Sequence, residues 1–457
     1  MEASIKARFF GRQPLIQDII QGVLAAPQPL DFSLVGPKMI GKSRLMKYLA
    51  ADTGPLKGAE YADWRPATYK ESQYIFVGHY DCDWPDARLH LTNFINQQFQ
   101  LQLRDTKSIK IDWNRVDASA SPGQQIGALV RQLEQQGIRL VLLLDNFDHI
   151  FRSDNVTEEM INELRPLSNE MGLVVASEYS LHDLDSNQSQ AASPLFNVMH
   201  QLFIGLLDSA AAREWIDTYG DSLSPEIKDE LFKLAGGHPF LLARINDIII
   251  ELQQYAAPET PLAGEHLPLI KLRLAEHGRQ LFETIWRKLT DETHGIAAPA
   301  LALAQQLAQT PVRVGGLPAE QVKAMNWLIN QAIVRFDQNY YELFSPLFAT
   351  YLLGKSPAEA ATVPPPPALA QPPQYGDIFN QLPPKEAALL KYFQDHSRTT
   401  VTFDDLLAHV WQKPDASPRR VQEAIRRLRN ILSEQTPPVG VIKSERGQGY
   451  RYIPAQN

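Results

Sequence analysis

Eight residues, Gly36-Pro37-Lys38-Met39-Ile40-Gly41-Lys42-Ser43, follow directly on the apolar segment Phe32 to Val35 and open an amphipathic stretch from Ser43 to Ala51. A loop of the form G-x-x-x-x-G-K-[ST] between a strand and a helix leaves the chain little freedom in how it folds there. Main-chain N–H groups curl around a phosphate, and the helix N-terminus adds the positive end of its dipole. Lys42 is placed to reach the β and γ phosphates and Ser43 to ligate Mg²⁺. The expected ligands are therefore ATP or ADP with Mg²⁺, held by Gly36, Gly41, Lys42, Ser43 and the adjoining Arg44.

The rest of the first 200 residues agrees with that placement. Short apolar runs at Phe32 to Val35, Tyr74 to Tyr80, Arg139 to Leu144 and Leu173 to Ala176 alternate with amphipathic stretches, the pattern of a parallel sheet covered by helices. Their nearly unbroken Val, Ile and Leu content suits strands buried on both faces. From about Leu206 to Leu262 the pattern becomes helical. From about Leu269 to Leu353 helices end in a hairpin-like segment, AIVRFDQNYYELFS, with Asp337-Gln338-Asn339 as its turn. No internal repeat of 20 to 50 residues is present, which argues against a solenoid.

The segment LVLLLDNFDHI supplies the second element that phosphate chemistry requires. A buried strand ending in Asp145 places a carboxylate to hold Mg²⁺, directly or through water. Asn146, the next residue, has no carboxylate to act as a base. Asp148 either orients or deprotonates the attacking water or caps the helix that follows, and both readings stay open. Lys42, Asp145 and Asp148 are the candidate catalytic residues, with hydrolysis expected to be slow.

Four segments, FFGRQPLI, GPKMIGKS, LLLDNFDHI and LAGGHPFLL, together resemble the STAND class of signal-transducing P-loop ATPases, relatives of AAA+ proteins. The resemblance covers about residues 8 to 353. It implies that Phe10, Gly11 and Arg12 lie beside the nucleotide base and that His238 and Pro239 in a helical lid sense its phosphates. It also implies that residues from Leu269 to Leu353 form a winged helix, and the few clustered arginines there suit internal packing. The chain departs from the pattern at Ala176-Ser177-Glu178, where relatives often show Thr-Ser-Arg. A carboxylate there weakens the case for efficient turnover. Ser177 is left as either a polar sensor or a local cap, and Arg244 and Arg152 as possible arginine fingers.

Beyond this region, SPAEAATVPPPPALAQPP holds seven of the 33 prolines and no aromatic residue, which marks a spacer with polyproline character. After it, residues 376–457 carry 12 lysines and arginines against 9 aspartates and glutamates, a net of +3, so the rest of the chain carries −11 of the total −8. A basic tail on an acidic body suggests a nucleic-acid module. LPPKEAALLKYF, VTFDDLLAHVW, RRVQEAIRRLRNIL and IKSERGQGYRYI read as three amphipathic helices and a hairpin. Val421, Ile425, Leu428 and Leu432 recur at helical spacing and should face the core. That leaves Arg419, Arg420, Gln422, Arg426, Arg427 and Arg429 for phosphates and guanine edges. Lys443, Arg446, Gln448 and Arg451 flank a turn that Gly447 and Gly449 permit. This segment resembles the OmpR-type winged helix of two-component response regulators. The resemblance implies that Val421 to Leu432 is a recognition helix and Arg446 to Tyr450 a wing on double-stranded DNA.

The fold expected is an α/β P-loop NTPase with helical lid and winged-helix domain, followed by a Pro-rich linker and a C-terminal winged helix. Its divisions fall at 1–205, 206–268, 269–354, 355–375 and 376–457. Length alone, 457 residues, calls for two to four domains, and 44% apolar against 21% charged residues excludes wholesale disorder. No run of about 18 apolar residues exists to cross a membrane, the first residues lack the apolar core of a signal peptide, and the single Cys82 is expected to be a buried spectator in a reducing compartment. A cytoplasmic location follows as the expectation. The function expected is a nucleotide-gated DNA-binding regulator, working as a slow ATPase switch with a nucleotide-dependent homo-oligomer and an unknown signal or partner protein. The alternatives are a DNA-assembling AAA+ ATPase of the origin or transposition type, and a defence or scaffold ATPase whose winged helix binds protein.

Overall fold

The apolar runs pair side by side in a computed structural model of the chain. It describes residues 9–69, 74–84, 87, 90–152, 163–168, 170–181, 199–253, 262–291, 295–355, 384–395, 400–402, 405–406, 410, 421, 424–425, 428–429, 432, 440–445 and 449–454. Strands β1 (Phe32–Val35), β2 (Tyr74–Asp81), β3 (Ile138–Asp145), β4 (Gly172–Ser177) and β5 (His200–Phe203) form one sheet in the order β2-β3-β4-β1-β5. Every pairing in it is parallel. Successive side chains on a strand point to opposite faces, and both faces are covered. Val141 and Leu143 of β3 pack with Ile16 and Ile20 of α1 (Gln13–Val23) and with Leu45 and Leu49 of α2 (Lys42–Ala50). Leu140, Leu142 and Leu144 pack with Phe94 and Phe99 of α3 (Leu91–Asp105) and with Leu129 and Leu133 of α4 (Pro122–Gln135). This two-sided burial is why β3 reads as an unbroken apolar run. Strand β5 was not among the expected strands. It lies at the sheet edge with three of its four residues exposed, so its sequence shows neither a run nor an alternation.

Helices α5 (Ser209–Asp217), α6 (Pro225–Ala235) and α7 (Pro239–Gln253) follow. Asp208 caps α5 through the Ala211 N–H at 2.8 Å, and Ser224 caps α6. Gly236 ends α6 in the left-handed region, φ 57°, and a Cβ there would stand 1.4 Å from the Phe344 carbonyl oxygen, so only glycine fits. The 23-residue α8 (Leu267–Leu289) then leads to α9 (Ala297–Gln309), β6 (Val312–Arg313), α10 (Val322–Asn330), β7 (Val334–Asp337), β8 (Tyr340–Leu343) and α11 (Pro346–Leu353). The last three strands form an antiparallel sheet in the order β6-β8-β7. The expected hairpin is β7 and β8, and Gln338 and Asn339 take φ 44° and 73° at its turn, the left-handed pair of a type I′ connection. Ser345 binds this region to α6, donating to the Leu234 carbonyl at 2.6 Å.

The chain divides into two units, Met1–Ser356 and Pro357–Asn457. In the second, α12 (Pro384–Asp395) precedes β9 (Thr400–Val401), β10 (Gly440–Glu445) and β11 (Gly449–Pro454), which pair antiparallel in the order β10-β11-β9. Val421, Ile425, Leu428 and Leu432 are buried with Leu389, Phe393, Ile442 and Tyr452, as the helical spacing requires. Nearly all of the proline-rich segment lies outside the described residues. Among the described residues no helix is long and apolar enough to cross a membrane. Cys82 is free and buried.

Candidate nucleotide site

The carboxyl ends of β1, β3 and β4 share one edge of the sheet, where ligands of open parallel sheets bind. The loop after β1 begins with the Gly36 N–H donating to the Ser177 carbonyl at 3.2 Å and ends at Gly41, the residue before α2, whose φ of 96° favours glycine. Lys42 is buried at the first turn of α2, and its Nζ donates to the carbonyls of Gly36 at 2.6 Å and Pro37 at 3.0 Å. Burial lowers its pKa to about 8, against the opposing pull of Glu178, Asp148 and Asp145. Ser43 is half-buried beside it and Arg44 is exposed.

Asp145 lies buried at the end of β3, in register with Asp81 of β2, and accepts the Asn146 N–H at 2.9 Å. Asn146 takes φ 52° and donates from Nδ2 to Asp81 Oδ1 at 2.9 Å, so its amide braces the strand ends. Asp148, also buried, accepts the main-chain N–H of Glu178 at 3.2 Å, which ties the turn after β3 to the end of β4. His149 reaches Asp83 Oδ1 from Nδ1 at 2.6 Å and stands 4.0 Å from Asp148 Oδ2 at Nε2. Ser177 spends its hydroxyl on the Tyr179 carbonyl at 2.7 Å, the local-cap alternative.

A second part of the site forms between the N-terminal segment and helices α5 and α7. Phe10, Arg12, Gly41, Arg44 and Pro239 line one cavity of about 160 Å³. Trp215 of α5 completes it, stacked on Phe10 with ring centroids 5.1 Å apart and lying 5.5 Å from the Arg44 guanidinium. Gly11 lies against Ala211 of α5. Arg12 Nη2 donates to the carbonyls of Ile40 at 2.6 Å and Gly205 at 3.0 Å, and burial lowers its pKa to about 10. Nothing local in the sequence marks Trp215, since its partner is 205 residues away.

His238 is fully enclosed, and burial followed by the nearby Arg12 charge lowers its pKa to about 3. Its Nδ1 accepts the Phe240 N–H at 3.2 Å, which leaves the proton of the neutral ring on Nε2. With Pro37, Lys38 and Lys288 it lines a narrow cleft between the loop and α8. Glu178, the departure noted in the sequence, is buried there between cations: Lys288 Nζ at 2.6 Å and Lys38 Nζ at 3.7 Å. Burial pushes its carboxyl up, but Lys288, then Lys38 and Lys42, outweigh this and hold it below the ordinary value. Arg244 pairs with Asp247 at 2.8 Å and lies over Phe240. The Arg152 side chain lies outside the described residues.

The groups present suit a nucleotide: a helix N-terminus behind a glycine loop, a buried lysine, two buried carboxylates and an aromatic cavity. Ser43 and Asp145 are the side chains that would hold a magnesium ion. Among the described residues no group of three or more His, Cys, Asp or Glu is placed to bind a metal by itself.

In the C-terminal unit the described candidates are Arg429, Lys443 and Arg451. Arg429 is half-buried, donates from Nε to the Ile442 carbonyl at 2.9 Å and lies 5.5 Å from the Tyr450 ring. Lys443 is exposed and directly opposite Arg451 across β10 and β11, on the face away from buried Ile442 and Tyr452. Arg419, Arg420, Gln422, Arg426, Arg427, Arg446 and Gln448 lie outside the described residues.

Residues 32–183 match the family of AAA domains, and residues 380–452 match the family described as transcriptional regulatory protein, C terminal. Comparison with curated proteins finds no match. Among solved structures, the Walker-type ATPase of Pyrococcus abyssi is similar at 15% identity and a TM-score of 0.44, over 76% of this chain and 96% of its own. The Aeropyrum pernix ORC2 protein in its ADPNP-ADP complexes is similar at 12% identity and a TM-score of 0.45, over 78% and 97%. A Signal Transduction ATPase with Numerous Domains from Pyrococcus horikoshii, with a tetratricopeptide repeat sensor, is similar at 13% identity and a TM-score of 0.31, over 94% and 54%. The chain thus joins an AAA-type P-loop domain to a C-terminal transcriptional regulatory domain of the winged-helix kind.

Proposed function

We propose that the protein is a nucleotide-gated DNA-binding regulator in which ATP or ADP, with Mg²⁺ on Ser43 and Asp145, sets the activity of the C-terminal winged helix. The observation that carries this reading is the union in one chain of an AAA domain and a transcriptional regulatory domain. The divisions proposed are a nucleotide-binding domain to residue 205, a lid to 268, an internal winged helix to 354, a linker to 375 and a DNA-binding domain beyond. Lys42 holds the phosphates, neutral His238 donates from Nε2 toward them, and Phe10 with Trp215 flanks the base. Asp148 orients water. Asn146 follows the metal-site aspartate and carries no base, so turnover is slow and the bound nucleotide acts as a state marker.

On the DNA side, Lys443 and Arg451 lie directly opposite on the hairpin and present two cations to a backbone phosphate. The test is capture of genomic DNA fragments by the purified full-length protein with ADP, with a nonhydrolysable ATP analogue, and with Lys42→Ala. One enriched sequence whose recovery changes with nucleotide, and does not change in Lys42→Ala, is the expected result. Recovery that ignores nucleotide in wild type would remove the gate, and no recovery would remove DNA as the partner.

A further inference from the structure

Glu178 is the charge in this site that nucleotide chemistry does not call for. It is a buried carboxylate at the end of β4, beside the phosphate loop, and its cations come from two sources. Lys38 belongs to the loop itself. Lys288 belongs to the last turn of α8, more than 100 residues away in the chain, and is itself nearly buried at 14% side-chain exposure. Lys288 is further fixed by the Gln331 Oε1 at 2.8 Å and lies 5.3 Å from the Tyr179 ring. Burying two charges is tolerable only while they remain paired and hydrogen-bonded, so whatever competes for one of them acts on the helix that carries the other.

We propose that Glu178 and Lys288 form a charge latch that reads the terminal phosphate of the bound nucleotide and so couples the phosphate loop to α8. This rests on the nucleotide-gated reading above and names the residues that perform the gating. Lys38 and Lys42, both in the field of Glu178, are the groups a phosphate would recruit. A diphosphate leaves enough positive charge for Glu178 to keep Lys288. A third phosphate competes with Glu178 for the loop lysines, repels its carboxylate and attracts the Lys288 ammonium. The pair parts, and the end of α8 is released from β4. Both residues act through charge on the nucleotide state and are positioning residues.

The two partners carry opposite charge, so their removal has opposite effects. Glu178→Gln takes away the repulsion and should shift the ratio of ADPNP to ADP affinity about tenfold toward ADPNP. Lys288→Met leaves Glu178 with less compensation and should shift the ratio about tenfold toward ADP. A merely structural role would weaken both nucleotides together and leave the ratio in place. The second readout is hydrogen exchange of the α8 amides over residues 283–289 in the full-length protein. In wild type these should exchange faster with ADPNP than with ADP, and in both variants the difference should vanish. Ratios within twofold of wild type, or moving in the same direction, overturn the latch and leave nucleotide binding standing. If Glu178→Gln does not fold, Lys288→Met and the wild-type exchange decide, and equal exchange in the two nucleotides overturns the latch. Wild-type protein that binds neither nucleotide overturns the nucleotide-gated reading and the latch with it.

Discussion

Arg429 belongs to a run of five arginines against one glutamate in 11 residues, yet its guanidinium fastens its helix to the hairpin through the Ile442 carbonyl and the Tyr450 ring. Composition marks such a run as basic, but only packing tells which member is committed to the fold. Arg429→Ala should therefore lower the stability of the C-terminal unit by roughly 2–4 kcal/mol, the sum of one charged hydrogen bond and a cation–π interaction. The salt slope of DNA binding should stay unchanged. Arg426→Ala with Arg427→Ala should do the reverse, flattening the slope by about one unit for each DNA phosphate no longer neutralised. Titrations at several salt concentrations beside thermal melts separate the two, and an Arg429 variant that alters only the slope would reverse the assignment. The phosphate-loop residues were legible because their spacing is itself the chemistry. Trp215 and Lys288 were not, because each acquires meaning only from a partner far away in the chain.

Elements buried on both faces announce themselves. Strands β1 to β4 were readable within one residue at each end because apolar residues dominate on both faces, with the polar ones mostly at their ends. Strand β5 offers the sheet one edge and exposes most of its side chains, so nothing in His200–Phe203 required a strand. The junction of α6 with α7 is intermediate: Gly236-Gly237-His238-Pro239 reads as a turn, but the reason for its first glycine is the Phe344 backbone lying against it. Gly236→Ala combines a left-handed alanine with that clash and should cost at least about 2–3 kcal/mol. It should also weaken nucleotide binding by displacing His238. Thermal unfolding with and without ADP checks both, and an unchanged midpoint would mean that Phe344 does not approach Gly236 in solution.

At the scale of the whole molecule, two compact units joined through a proline-rich segment should unfold as two transitions. A ligand stabilises only the unit that binds it, by about 2.7 kcal/mol at a concentration one hundred times its Kd. ADP should therefore raise the transition of residues 1–356 and leave the other in place, while a DNA site should do the opposite. Calorimetry of the full chain reads both, and a single transition raised by either ligand would show the units to be thermodynamically one. Within the larger unit, α8 is anchored along its whole length. Its last turn is held by the nearly buried Lys288, while its first half buries Ile270 and Leu274 and sets Gly278 against Leu241 of α7, with the exposed pairs Lys271 to Glu230 at 3.4 Å and Arg273 to Glu251 at 3.3 Å adding little. A helix of 23 residues is about 34 Å long, and a tilt of about 10° moves one end by about 6 Å relative to the other. It is a rod packed along its length, so a tilt begun where Lys288 leaves Glu178 is not absorbed locally but carried to the α7 end as a shift several times larger.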